Sequence, residues 1–218
     1  MSAASTTTIL LIRHGETAWN AERRLQGHLD IALNAEGERQ AALLAAALAG
    51  ERIDAIIASD LSRARQTAAA VASMHGLPVQ VDAALRERCY GGFEGLLYTE
   101  IAQRFPLQFA AWQARDVDAV LPPGANCGET FRQFNRRVTE ALQRWAAAHP
   151  GKTLALVAHG GVLECAYRGA RGLPLESPRD FKIHNASVNR FTIDGGVLAL
   201  RSWGEVEHLR QGVLDELS

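Results

Sequence analysis

Covalent bracing is almost absent. Only three cysteines occur among 218 residues, Cys89, Cys127 and Cys165. They are far apart, odd in number and form no C-x-x-C pair, so neither a disulfide framework nor a zinc knuckle is suggested. Reduced thiols and a cytoplasmic location are the simplest expectation. Long hydrophobic runs are missing as well. The apolar run at residues 9–12 is far too short for a signal-peptide core or a membrane span. The residues before it, 1–8, contain no Lys or Arg. Charge of one sign is not in excess: 23 basic and 24 acidic residues leave a net charge of -1. The two signs are interspersed, which argues against a nucleic-acid partner and against a polybasic membrane-surface segment. The seven histidines show no H-E-x-x-H spacing or other ligand pattern, so no metal site is expected. No G-x-x-x-x-G-K-[ST] string exists, which disfavours a nucleotide triphosphatase.

What is present reads as an ordinary soluble globular chain. Hydrophobic residues make up 47% and charged residues 22%, within the usual range. The length suits one large α/β domain spanning 1–218. Residues 9–12, 53–58 and 153–158 are short apolar runs of the kind that form buried parallel strands. Residues 79–81 read as a short edge strand. Residues 34–49 read as a helix that Asn34 can cap. Ser59-Asp60 supplies cap chemistry for another helix running to about His75. Residues 96–113 read as two helices broken at Pro106, residues 121–127 as a Pro/Gly loop, and 128–148 as a long amphipathic helix. Residues 187–193 and 197–203 flank Asp194-Gly195-Gly196, a hairpin signal. The alternation predicts a three-layer α/β/α sandwich with a mostly parallel central sheet. The stretch at about 90–129 reads as a helical insertion covering the sheet. No repeat, low-complexity tract or domain linker stands out.

In open α/β sheets, ligands bind at the carboxyl ends of the strands. Three polar groups fall there: Arg13-His14-Gly15, Ser59-Asp60-Leu61-Ser62-Arg63, and His159-Gly160. Each alone has a bland explanation, a hydrogen-bonded histidine or a solvated arginine. Together they bring four cationic or cationisable groups to one rim, where they would repel each other without an anion between them. A straight strand would point Arg13 and His14 to opposite faces; Gly15 permits a turn that brings both to one site. Phosphate fits the planar donor fork of arginine. A helix amino end near Ser62-Arg63 would add backbone N–H groups. A neutral histidine can attack phosphorus, and a protonated one can stabilise charge. Glu87 is the candidate for proton transfer. An exposed ion pair with Arg86 or Arg88 explains Glu87 equally well.

Leu11-Ile12-Arg13-His14-Gly15-Glu16-Thr17 closely resembles the R-H-G signature of the histidine phosphatase superfamily, which includes the cofactor-dependent phosphoglycerate mutases. The resemblance covers about 8–208. Trp19-Asn20 and Arg24-Leu25-Gln26-Gly27 are similar to the next motifs in family order. Residues 58–68, with Ser59 and Arg63, look like the second arginine motif. Leu85-Arg86-Glu87 with Tyr90-Gly91-Gly92-Phe93-Glu94-Gly95 resembles the acid motif, and Val157-Ala158-His159-Gly160-Gly161 the second-histidine motif. Five motifs in order are specific where a lone R-H-G is not.

The resemblance implies a phosphoglycerate mutase-like fold and His14 as the phosphorylated residue. It implies Arg13, Arg63 and His159 as holders of the phosphoryl oxygens, with Asn20 and the Gly160 N–H assisting. Gln26 and Gly27 join them through the phosphate-loop motif. Glu87 would be the proton donor, and no metal or organic cofactor is needed for hydrolysis. The substrate would be a small-molecule phosphate ester, handled by a monomer or homodimer.

In mutases the acid motif is followed by a lysine and then an arginine pair. Tyr98 stands at the lysine position here. Arg104 and Arg115 are single, and Arg136-Arg137 lies later, inside the long helix. A site roofed by fewer cations protects a phosphohistidine from water less well. These features favour a phosphomonoesterase over a mutase. A silent phospho-ligand binder is a third reading, opposed by the complete set of His14, Arg63, Glu87 and His159. Phe93, Tyr98, Phe105, Phe109 and Trp112 either roof the pocket or simply pack their helices, and packing is the favoured expectation.

Overall fold

The first strand, β1 (Thr7–Arg13), sends alternate side chains to two separate interiors, and that alternation sets the layering. Ile9 and Leu11 enter one core, Leu10 and Ile12 the other. A computed structural model describes residues 6–126 and 128–209; residues 1–5, Cys127 and 210–218 lie outside the described residues. After β1 come α1 (Ala18–Ala21), α2 (Ala35–Leu48), β2 (Ala55–Ala58), α3 (Ser62–His75) and β3 (Val79–Val81). Next are α4 (Tyr98–Arg104), α5 (Pro106–Gln113) and α6 (Phe131–Ala148). The chain closes with β4 (Thr153–Ala158), α7 (Gly160–Arg171), β5 (Val188–Asp194) and β6 (Val197–Glu205).

The six strands lie in the order β3-β2-β4-β1-β5-β6. The pairs β3/β2, β2/β4 and β4/β1 are parallel, and β1/β5 and β5/β6 are antiparallel. Helices α6 and α7 bury Phe134, Val138, Leu142, Val162 and Leu163 on one face of the sheet. Helices α2 and α3 bury Leu44, Leu48, Ala64, Ala68 and Val71 on the other. The mostly parallel three-layer arrangement is the one the strand and helix alternation predicts. No described helix is long and apolar enough to cross a membrane.

Local chemistry explains most boundaries. The Asn34 side chain accepts from the Gly37 N–H at 2.8 Å and starts α2 as expected. Pro106 opens α5 at its first turn, where its missing N–H leaves nothing unpaired. Two expectations fail. Ser59 and Asp60 do not cap α3: an extended Leu61 precedes the helix, and Asp30 from a distant loop accepts from the Ser62 N–H at 2.7 Å. Asp60 instead holds Arg86 through two 2.7 Å bonds. The helix expected from 128 starts at Phe131, because Thr130 and Gln133 form a capping box there. Helix α7 carries no start signal in the sequence, since Gly160-Gly161 at its start is poor helix material.

Candidate active site

Register brings the site together. Arg13 is level with Ala158, and Ala58 with Val157, so β1, β4 and β2 end at one rim. The ladder runs one step further, with His14 N–H donating to Ala158 O and Ser59 N–H to Val157 O, both at 3.0 Å. His14 and His159 therefore leave adjacent strands side by side, with ring centroids 5.1 Å apart. Gly15 is needed here for a different reason than a turn. A Cβ on it would fall 2.5 Å from Gly37 O, so the bare backbone lets the loop after β1 lie against the start of α2.

The hydrogen bonds assign the tautomers of both rings. His14 Nδ1 lies 2.6 Å from Gly15 O. A carbonyl only accepts, so Nδ1 carries the hydrogen and Nε2 keeps its lone pair. His159 Nδ1 lies 3.2 Å from Arg63 Nε, which only donates. Its proton therefore sits on Nε2, a buried atom with no hydrogen-bond partner among the described residues. Burial first, then the Arg63 charge, holds both rings well below the ordinary histidine value. Both are neutral near pH 7. Of the four cationic or cationisable groups expected at this rim, the two arginines carry charge and the two histidines do not.

Arg63 is 1% exposed. Burial lowers its pKa to about 10, which leaves it charged. Its Nη1 and Nη2 donate to Leu29 O and Gly27 O at 3.0 and 2.8 Å. With Nε on His159, three of the five guanidinium N–H groups are engaged among the described residues. Arg13 Nη1 donates to Ile183 O at 2.7 Å. Glu87 is buried, so the exposed ion-pair reading does not hold. Its two carboxylate oxygens accept from Gly161 N–H at 3.0 Å and Arg88 N–H at 2.7 Å. A Cβ on Gly161 would lie 2.2 Å from Glu87 Oε1 and 2.8 Å from the Phe134 ring, so a side chain there would displace the Glu87 carboxyl.

A small cavity of about 60 Å³ joins these groups. Arg13, His14, Asn20, Gln26, Gly27, Arg63, Glu87 and Tyr98 line it. His159 and Gly160 are not among its lining residues; the His159 ring lies against that of His14 and accepts from Arg63 Nε, and Gly160 opens α7 directly after it. At the expected free helix amino end at Ser62-Arg63, the Ser62 N–H and hydroxyl are already taken by Asp30. The amino end of α7 is the one next to the histidines. No group of three or more His, Cys, Asp or Glu among the described residues is arranged to hold a metal ion.

The sequence model of the histidine phosphatase superfamily (branch 1) matches residues 9–206. The chain belongs to this family. A relative from Arabidopsis thaliana named phosphoglycerate mutase-like protein 4 is 40% identical, over 93% of this chain and 87% of its own length. A second from the same plant, named metal-independent phosphoserine phosphatase, is 36% identical over 93% of this chain and 83% of its own. The solved structure of Bacillus stearothermophilus YhfR superposes with a TM-score of 0.84 at 35% identity, covering 93% of this chain and 99% of that one.

In this histidine phosphatase superfamily member a second cavity, of about 310 Å³, adjoins the first and shares Leu25, Tyr90 and Tyr98 with it. Trp112, Phe131 and Phe134 give it an aromatic wall. Phe93, Phe105 and Phe109 instead pack in the small core of the 90–129 segment, so both readings of the aromatics hold, for different residues. The expected scarcity of cations is not met. Arg23 and Arg24 line the first cavity, and Arg88, Arg115 and Arg179 the second. They come from loops other than the one where a lysine and an arginine pair were sought. Arg115 is committed to Glu164.

Sequence reading also passed over Arg137 as a helix cation. It donates to Ala84 O, Arg86 O and Glu87 O at 2.9, 3.0 and 3.1 Å and pairs with Glu129 at 2.7 Å. That clamp fixes the loop carrying Glu87. Nothing in its spacing signals it, because the contact is with main-chain oxygens some 50 residues away.

Proposed function

We propose that this chain is a phosphomonoesterase working through a phosphohistidine at His14. The observation that carries the reading is the 2.6 Å bond from His14 Nδ1 to Gly15 O. It leaves the Nε2 lone pair available in a pocket lined by four arginines, Arg13, Arg23, Arg24 and Arg63. Nε2 attacks phosphorus roughly in line with the leaving oxygen. The P–O bond breaks, and protonated Glu87 gives its proton to the departing alcohol. Arg13, Arg63 and the His159 Nε2–H donate to the equatorial oxygens, with Asn20, Gln26 and the main chain at Gly27 and Gly160 assisting. The ring becomes positive as the P–N bond forms, and the Gly15 carbonyl stabilises it. Glu87 then takes a proton from water, hydroxide attacks phosphorus, the P–N bond breaks, and phosphate leaves. Every proton and bond is handled by the chain's own groups, so activity should persist in a chelator. The 90–129 segment serves as an insertion roofing the leaving-group side of one domain.

A mutase reading draws on the arginines around both cavities and on the mutase-like name of one relative. Against it, Tyr98 stands where mutases carry a lysine and is stacked on Trp112 at 5.5 Å. The phosphatase name of the other relative supports hydrolysis. The test is a metal-free screen over a panel of phosphate esters, with acid-labile phosphoenzyme trapped by rapid quench and mapped to its residue. Hydrolysis with label on His14 is the expected result. Turnover that requires bisphosphoglycerate would support the mutase, and tight phosphate binding without turnover a silent binder.

A further inference from the structure

We infer that Asn185 is a positioning residue: it holds the amide of Asn20 so that its Nδ2 faces the phosphoryl pocket. The inference rests on the reading of Asn20 as a phosphoryl contact. Asn185 lies just before β5 and is fully buried. Its Nδ2 is 3.0 Å from His14 O and 3.4 Å from Asn20 Oδ1. A carbonyl only accepts, so the end of the Asn185 amide against His14 must be the NH2. The same logic orients Asn20. Its Oδ1 is 3.1 Å from Thr17 N–H, which only donates, and 3.1 Å from Thr17 Oγ1. The Asn20 Nδ2 is then turned the other way. Asn20 lines the small cavity, and its Nδ2 makes no hydrogen bond among the described residues.

Orientation matters because the terminal torsion of asparagine is broad and nearly two-fold. A flipped Asn20 would point an oxygen at the phosphoryl oxygens and repel them. Thr17 and Asn185 hold it from opposite parts of the chain, one in the loop after β1 and one in the turn before β5.

Two features argue that Asn185 is kept for its donors and not for packing. Its Oδ1 is buried with no hydrogen-bond partner among the described residues, a penalty that an apolar side chain of similar size avoids. The next residue, Ala186, adopts φ +52, a strained conformation for a residue with a Cβ, and its N–H also bonds His14 O at 3.2 Å. The strained turn delivers both donors to the carbonyl of His14, and the second hydrogen of the Asn185 amide reaches Asn20.

The experiment is a double-mutant cycle on the full chain, using orthovanadate as the probe. Affinity is read by calorimetry, with Tm and kcat/KM on p-nitrophenyl phosphate alongside. Asn185→Leu and Asn20→Ala should each weaken vanadate about tenfold, and the double variant should be within about twofold of Asn20→Ala alone. Asn185→Leu should keep or raise Tm, because the unpartnered oxygen is gone. A double variant about a hundredfold weaker, the product of independent losses, would overturn the inference. So would wild-type affinity in Asn185→Leu. If the leucine does not fit, Asn185→Ser, too short to reach Asn20, is measured in the same cycle. Vanadate binding needs no turnover. A wild type that binds vanadate but hydrolyses nothing sinks the proposed reaction and leaves this cycle readable, whereas one that binds no vanadate overturns both.

Discussion

The two adjoining cavities are built from different material. The small one is walled by groups whose hydrogen bonds leave one geometry: Arg63 on His159, Leu29 and Gly27, His14 on Gly15, Glu87 on Gly161. Nearly all of these side chains are buried. The larger one adds Trp112, Phe131 and Phe134 to the Tyr90 and Tyr98 that both share, and Tyr90, Tyr98 and Trp112 are half-buried aromatics that touch edge-on or stacked. Aromatic contacts accept many arrangements, whereas a chain of hydrogen bonds accepts few. Under the proposed mechanism, the reaction falls to the first cavity and the choice of ester to the second.

The most direct way to break that division is at the nucleophile. His14→Ala should lower kcat on p-nitrophenyl phosphate by at least about a thousandfold, whatever the ester. Near-normal turnover in that variant would end the mechanism. Glu87→Gln comes next. It should slow alkyl phosphates by about a hundredfold or more and p-nitrophenyl phosphate by less than about tenfold, since the better leaving group needs little protonation. Equal losses for the two esters would remove Glu87 from the role of acid. Trp112→Ala sharpens the other half of the comparison. It should change KM for the preferred ester by up to about tenfold and leave p-nitrophenyl phosphate nearly unchanged. A large drop in kcat for every ester would mean that the aromatic wall also supports the chemistry.

The smallest effect is in pH. The nucleophile must be neutral, and its pKa in the folded protein lies well below 6.5. For p-nitrophenyl phosphate, kcat/KM should therefore stay level as pH falls through 6.5 and decline only below it. A fall centred on 6.5 would show an exposed, ordinary imidazole. Stability has the matching sign. The unfolded chain takes up protons on His14 and His159 at higher pH than the folded one, so their contribution is complete above 6.5 and is lost as pH drops below it. Denaturant titrations at neutral and mildly acidic pH would measure that loss.

Much of the rim was legible because Arg13 ends β1 and His14 and His159 directly follow strands. A run such as Ile9-Leu10-Leu11-Ile12 announces its own end, and the residues after it inherit the rim. What stayed hidden acts over long range or through the main chain. Arg137 looks like any helix arginine until its carbonyl partners are seen. Asn185 sits in no periodic pattern. The cap of α3 comes from Asp30, 32 residues away, which no local rule can find.

The sequence alone determined the alternation of strands and helices, the glycines that permit close approach, and the identity of the chemical groups. Hydrophobic period and side-chain type are properties of neighbouring residues, so they are written in order along the chain. Tertiary structure decided the protonation of both histidines, the orientation of the Asn20 amide and the burial of Glu87. Those depend on which donors, charges and apolar walls arrive from elsewhere, and distance in space between them is set only once the sheet has closed its register.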